Sequence, residues 1–195
     1  MKAHDVPDWY IDSCNKIKYM FPRAHAVAYT MMSFRMAWYK VYYPQEFYAT
    51  YFTTKIANFD ADTILKGKDA ILARMNEINM QGPNASAKEK DDYTIFEVAY
   101  EMYARGYEFT PARLGKSQAM KFGVDDGKVL LPFGAIEGVG ETAATAFAKE
   151  YEIKPFDTIE EAIKRAKINK TAVEGLRGHG VFEGLPETDK IAMQL

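Results

Sequence analysis

The chain has 195 residues, 48% of them hydrophobic and 14% aromatic, and a formal net charge of −2. That apolar share is enough for a buried core, so disorder is not the default, and the length fits one large domain or two small ones. A single cysteine, Cys14, excludes an internal disulfide framework and fits a reducing compartment, while near-neutral charge argues against a general polyanion binder.

The charge is unevenly spread. Residues 1–55 carry seven Lys/Arg against four Asp/Glu, residues 56–110 six against ten, and residues 111–195 twelve against thirteen. Binding to a polyanion would therefore have to come from local patches and backbone amides. His4, His25 and His179 are too scattered to suggest a zinc site, so no metal ligand is expected. There is no run of about 18 apolar residues and no signal-peptide core at the N-terminus, so no membrane contact and a cytoplasmic location are expected.

Residues 7–20 read as a first helix, with Pro7 in its opening turn and Trp9, Ile11, Ile17 and Met20 as apolar members. Phe21-Pro22 interrupts it. A second helix is predicted from Ala24 to about Tyr42; apolar nearly all round, it is expected to be mostly buried. Pro44 stops it and opens a third helix to about Thr54. Residues 60–79 read as one amphipathic helix, with Ile64, Ile71, Met75 and Ile78 on one side. Ser86-Ala87-Lys88-Glu89 has capping-box spacing for a helix ending at Arg105-Gly106. Within 107–131, Asp125-Asp126-Gly127 signals a hairpin between short apolar runs, so a small antiparallel sheet is expected. Helices follow at 141–150, 158–165 and 170–177, and Gly175, Gly178, Gly180 and Gly184 punctuate the end.

The stretch Phe133-Gly134-Ala135-Ile136-Glu137-Gly138-Val139-Gly140-Glu141-Thr142 stands out. Gly138 and Gly140 permit a tight turn, and the helix opening near Glu141 leaves amides without intrahelical partners, which suits an anion such as phosphate. The pattern resembles a helix-hairpin-helix motif; an ordinary Gly-rich turn between helices has the same letters. Residues 163–176 read as a degenerate second copy, with Lys164, Lys167 and Lys170 as candidate contacts to a phosphodiester backbone or simply a solvated face. A further basic group, Lys16, Lys18, Arg23 and His25, precedes the second helix and suits a triphosphate or phosphodiester, or else a solvated turn. Arg35, on the apolar second helix, either meets a buried partner or ligand or extends to solvent. No paired carboxylates on strands and no nucleophile with its base are evident, so no catalytic residue is predicted.

From Lys16 to Pro44 the sequence closely resembles the end of the fingers of C-family replicative polymerases, in the PolC-type DNA polymerase III alpha subunit of low-GC Gram-positive bacteria. The residues carrying the resemblance are Lys16-Ile17-Lys18-Tyr19-Met20-Phe21-Pro22-Arg23-Ala24-His25 and Phe34-Arg35-Met36-Ala37-Trp38-Tyr39-Lys40. It continues through Glu97-Val98-Ala99-Tyr100-Glu101-Met102, Arg105-Gly106, Leu131 to Gly140, Asn169-Lys170-Thr171 and Gly178-His179-Gly180.

The resemblance implies a mainly α fold with a small antiparallel β element: a fingers remnant at 1–58, then a duplex-binding domain at 59–195. That domain would comprise helices over 60–106, a sheet over 107–131 and tandem helix-hairpin-helix elements over 132–182. The family activity is DNA-directed DNA polymerisation, with primer–template duplex DNA and incoming dNTP as partners and magnesium in the intact enzyme. The palm aspartates fall upstream of these residues, so this chain alone is expected to be inactive. Carried over by position, Gly138, Val139, Gly140, Thr142, Lys164, Lys167 and Lys170 would hold DNA, and Arg23, His25 and Lys18 the nucleotide. Two departures stand out. Glu141 follows the hairpin directly and repels phosphate, and Gln194-Leu195 matches only the start of the clamp-binding peptide through which the family contacts a sliding clamp. A stand-alone helix-hairpin-helix DNA-binding or scaffold module, or a helical interaction domain that never touches DNA, is also compatible with the residues.

Overall fold

The computed structural model describes residues 1–17 and 23–188, which form two compact units divided between Tyr42 and Tyr43. The first holds α1 (Asp8–Lys16) and the long α2 (Arg23–Tyr42). The expectation that α2 is mostly buried is not met, since no residue of α2 is buried and Phe34 is 74% exposed. A helix that is apolar all round needs a covering surface on every side, and the described residues up to 42 add only a 3-10 turn at Lys2–His4 and the nine-residue α1, neither with a buried residue.

The second unit begins with α3 (Pro44–Thr54), which sinks Pro44, Tyr48, Ala49 and Phe52 into the core. The helix expected over 60–79 is divided into α4 (Ala61–Ile64) and α5 (Lys68–Gln81). Gly67, at φ 94, turns the chain between them in a conformation that side chains resist. Next comes α6 (Ala87–Ala104), opened by the expected capping box: Ser86 Oγ accepts from the Glu89 amide at 3.2 Å, and the Ser86 amide donates to the Glu89 carboxylate at 3.0 Å. Burial of Tyr48 brings its hydroxyl 2.7 Å from Glu101 Oε2 and within 2.9 Å of Arg105 Nη1, joining α3 to the end of α6.

The sheet is three-stranded and mixed, not antiparallel throughout. Strands β2 (Gly123–Asp125) and β3 (Lys128–Leu130) form the expected antiparallel hairpin across Asp126-Gly127, with Val124 opposite Val129. Strand β1 (Phe109–Thr110) adds to the other edge of β3 in parallel, Phe109 opposite Val129, giving the order β1-β3-β2. The long connection from β1 to β2 allows that parallel pairing, which a two-residue turn cannot.

Two aromatic clusters centre the unit. Phe52, Phe59, Phe109 and Phe122 meet at ring-centroid distances of 4.8–5.9 Å. Further along the chain Phe147 is completely buried against Phe133, Phe156 and Phe182, at 5.0, 5.3 and 5.8 Å. That second cluster lies at the heart of the last three helices, α7 (Glu141–Ile153), α8 (Ile159–Ala166) and α9 (Lys170–Gly178).

Candidate nucleic-acid interface

The leading helix of the first hairpin is reduced to a single 3-10 turn, Phe133–Ala135. The chain then runs through Ile136 and Glu137 to Gly138 at φ 82, buries the Val139 side chain, and enters α7 with Gly140 as N-cap. Val139 donates its amide to the Ile136 carbonyl at 3.1 Å, so this residue anchors the turn and its N–H is already used. Gly140 has no side chain with which to cap the helix. Consequently the amides of Gly140, Glu141, Thr142 and Ala143 meet no acceptor among the described residues. Gly138, Gly140 and Thr142 are exposed, so these donors open to solvent. Four N–H groups at the positive end of a thirteen-residue helix make that end attractive to an anion. Glu137 and Glu141 are exposed beside it and oppose that field.

The second hairpin repeats the backbone with different residues. Lys167 closes α8 in the left-handed region at φ 51, where Gly138 stands in the first copy. Ile168 is buried like Val139. Asn169 is the N-cap of α9 at φ −79, ψ 170, against φ −68, ψ 163 for Gly140. The Asn169 side chain accepts from the Ala172 amide at 2.8 Å, leaving the amides of Lys170 and Thr171 without an acceptor among the described residues. The basic run around it divides in two. Arg165 is turned inward, with its guanidinium 4.8 Å above the Phe156 ring, 3.0 Å from Glu161 and donating to the carbonyls of Glu150 and Lys154. Lys164, Lys167 and Lys170 all point to solvent, with Lys170 90% exposed.

Sequence reading missed the contact that joins the copies. Gly175, within the helix expected over 170–177 and read only as punctuation, lies against the Glu137 carbonyl, where no side chain would fit. His179 Nε2 lies 3.2 Å from Asp62 Oδ1 and ties the end of α9 to α4. A cleft of about 490 Å³ nearby carries Asp60, Asp62, Asp92 and Glu137 against Arg74 and Lys88, the wrong balance for a polyanion. Burial pushes the Asp92 carboxyl above its usual range, and its Oδ1 has no partner among the described residues.

In the other unit, Arg23 is the first residue of α2 and His25 lies in the same turn, its ring 4.4 Å from that of Tyr29; both are exposed. Arg23 and Arg35 border a shallow groove of about 550 Å³ floored by Val27, Met31 and Phe34. Lys18, the third nucleotide-side candidate, lies outside the described residues, as do Gln194 and Leu195 of the clamp-type peptide. Among the described residues no three His, Cys, Asp or Glu side chains converge to hold a metal ion. Nor is any helix among the described residues long and apolar enough to cross a membrane.

A family model described as a helix-hairpin-helix motif matches residues 106–191, the region containing both hairpins. DNA polymerase III PolC-type from Caldanaerobacter subterraneus subsp. tengcongensis is 49% identical over 193 residues. The proteins of the same name from Clostridium perfringens and Bacillus subtilis are 47% and 46% identical over 193 residues. The chain is a relative of PolC-type DNA polymerase III. The match to these PolC-type proteins takes in 99% of this chain but only 13–14% of their own length. The mainly helical fold and the hairpin region agree with that kinship, which covers the α2 segment and the two hairpins in one collinear match.

Proposed function

We propose that these residues serve a replicative DNA-directed DNA polymerase by holding primer–template duplex behind the site of synthesis and helping to bind the incoming dNTP. Residues 59–195 hold the duplex and residues 1–58 form the end of the fingers. At the first hairpin Gly138, Gly140 and Thr142 offer amides to phosphate, with Val139 as the buried anchor; at the second, Lys164, Lys167 and Lys170 add cations. Arg23, His25 and Lys18 stand on the nucleotide side. Magnesium, where bound in an intact polymerase, supplies charge neutralisation at the transferred phosphate.

The observation that carries the reading is the repeated hairpin backbone, with open amides at the start of α7 and outward lysines around the start of α9. All of these groups address phosphates, which are the same at each nucleotide, so the predicted binding is weak and indifferent to sequence. It is also steeply salt-dependent, because each neutralised phosphate releases counterions. Titration of the chain with a short duplex at several salt concentrations tests this. A log–log slope of about −3, from the three lysines, is expected; salt-independent binding, or none, would overturn the duplex-holding role.

A further inference from the structure

The first hairpin and α9 meet along a seam of bare backbone. Gly175 stands inside α9, although glycine is among the poorest helix formers, so its place there calls for a packing reason. A methyl group at Gly175 would land on the Glu137 carbonyl oxygen and 3.2 Å from Ile136 Cγ2. One turn earlier on the same face, Thr171 approaches Gly138: a Cβ added there would lie 2.9 Å from Thr171 Cγ2 and 3.1 Å from the Thr171 carbonyl oxygen. The loop Ile136–Gly138 leads directly to the open N-terminus of α7, and Thr171 lies one residue beyond Lys170 at the start of α9. The two hairpins are therefore fixed to each other through one face of α9, in addition to their covalent link through α8.

We propose that Gly175 is a positioning residue for duplex binding. By letting α9 lie against the Glu137 carbonyl, it sets the spacing between the open amides of α7 and the Lys167–Lys170 hairpin, so that both engage one duplex together. This rests on the duplex-holding reading above. Two grips held rigidly reinforce each other through effective concentration, and loosening their joint weakens binding without removing any contacting group.

The test compares the full chain with Gly175→Ala, measuring anisotropy of a labelled duplex of about 20 base pairs between about 50 and 200 mM salt, with thermal melts alongside. Affinity is expected to fall about tenfold as the two grips uncouple. The salt slope should stay unchanged, because the three lysines remain and the amides of α7 release no counterions; a slope that falls together with the affinity means that the lysine contacts are lost with the fold, and overturns the positioning role. Equal affinity in Gly175→Ala, with the unaltered chain binding, overturns the positioning role alone. Absence of salt-dependent binding in the unaltered chain overturns the duplex-holding reading and the positioning role with it. Should Gly175→Ala fail to fold, Thr171→Ser withdraws the methyl that faces Gly138 and adds nothing. A loss of about threefold with an unchanged melt, the scale of one methyl contact, then supports the proposal, and unchanged binding overturns it.

Discussion

Lys167 combines a local conformational cost with an outward charge, and one substitution separates them. It closes α8 at φ 51, ψ 37, a region in which a side chain raises the energy by about 1–2 kcal/mol. Gly138, in the corresponding place of the first hairpin, occupies φ 82 without that cost. Lys167→Gly removes the strain but gives the unfolded chain more freedom, so the expected net gain is about 0.5–1 kcal/mol. The side chain is exposed, so its removal leaves no cavity to offset the gain. In the proposed complex the same change deletes one cation beside the duplex. The salt slope should drop by about 0.9, making the affinity loss between about 50 and 200 mM salt about 3.5-fold smaller. Urea unfolding and a salt titration with duplex read the two effects independently. Stability rises while binding falls at low salt, a pairing that general damage to the fold cannot produce. An unchanged slope would refute the contact at Lys167, and a loss of stability would refute the strain.

Two other predictions concern the scaffold. The Ser86 amide, donating to the Glu89 carboxylate, holds its pKa at about 2 against an ordinary 4.5, with the Gln81 and Ser86 side chains contributing. A depressed carboxylate stabilises the fold above its unfolded value, so this contribution is complete above pH 4.5 and disappears as pH falls towards about 2. Ser86→Ala should cost about 1 kcal/mol at neutral pH, and its difference from the parent in urea unfolding should shrink across that acid window. Burial pushes the Tyr48 phenol up to about 12 from 10.0, with the hydrogen bond to Glu101 adding and Arg105 opposing. A raised value means stability present below pH 10.0 and lost as pH climbs towards about 12. Tyr48→Phe should cost about 1–3 kcal/mol at neutral pH and flatten the alkaline limb of a stability–pH curve; an unchanged limb would show that the hydroxyl does not govern it.

Local chemistry made much of this fold readable. Pro44, the Ser86–Glu89 box and Asp125-Asp126-Gly127 each specify an element boundary through backbone dihedrals or a capping hydrogen bond, and such boundaries depend on neighbours in sequence alone. What sequence reading missed depends on distant partners. The parallel pairing of β1 with β3 is decided by where Phe109 packs, among Phe52, Phe59 and Tyr103, and not by any turn signal. The burial expected of α2 failed for the same reason: an apolar sequence records that a helix needs covering, but the described residues up to 42 do not supply the cover. Within the candidate site, the glycine doublet was legible because it sits at a helix entrance. Gly175 was not, because only the approach of Glu137 from another part of the chain explains a glycine inside α9.

The two hairpins solve one backbone problem with opposite chemistry, and that difference bears on how a duplex would be held. Glu137 and Glu141 flank the first, so phosphate gains there only from short-range amide hydrogen bonds, against a repulsive charge. Lys164, Lys167 and Lys170 surround the second, so attraction there acts over a Debye length and tolerates loose geometry. The lysine hairpin would therefore capture a duplex first, and the amide hairpin would engage only when the seam at Gly175 sets it at the right distance. Neither set reads a base edge, and phosphates recur at every base-pair step. A grip of this kind would meet identical partners at every base-pair step, so movement along a duplex would change which phosphates are held without changing the kinds of contact that hold them.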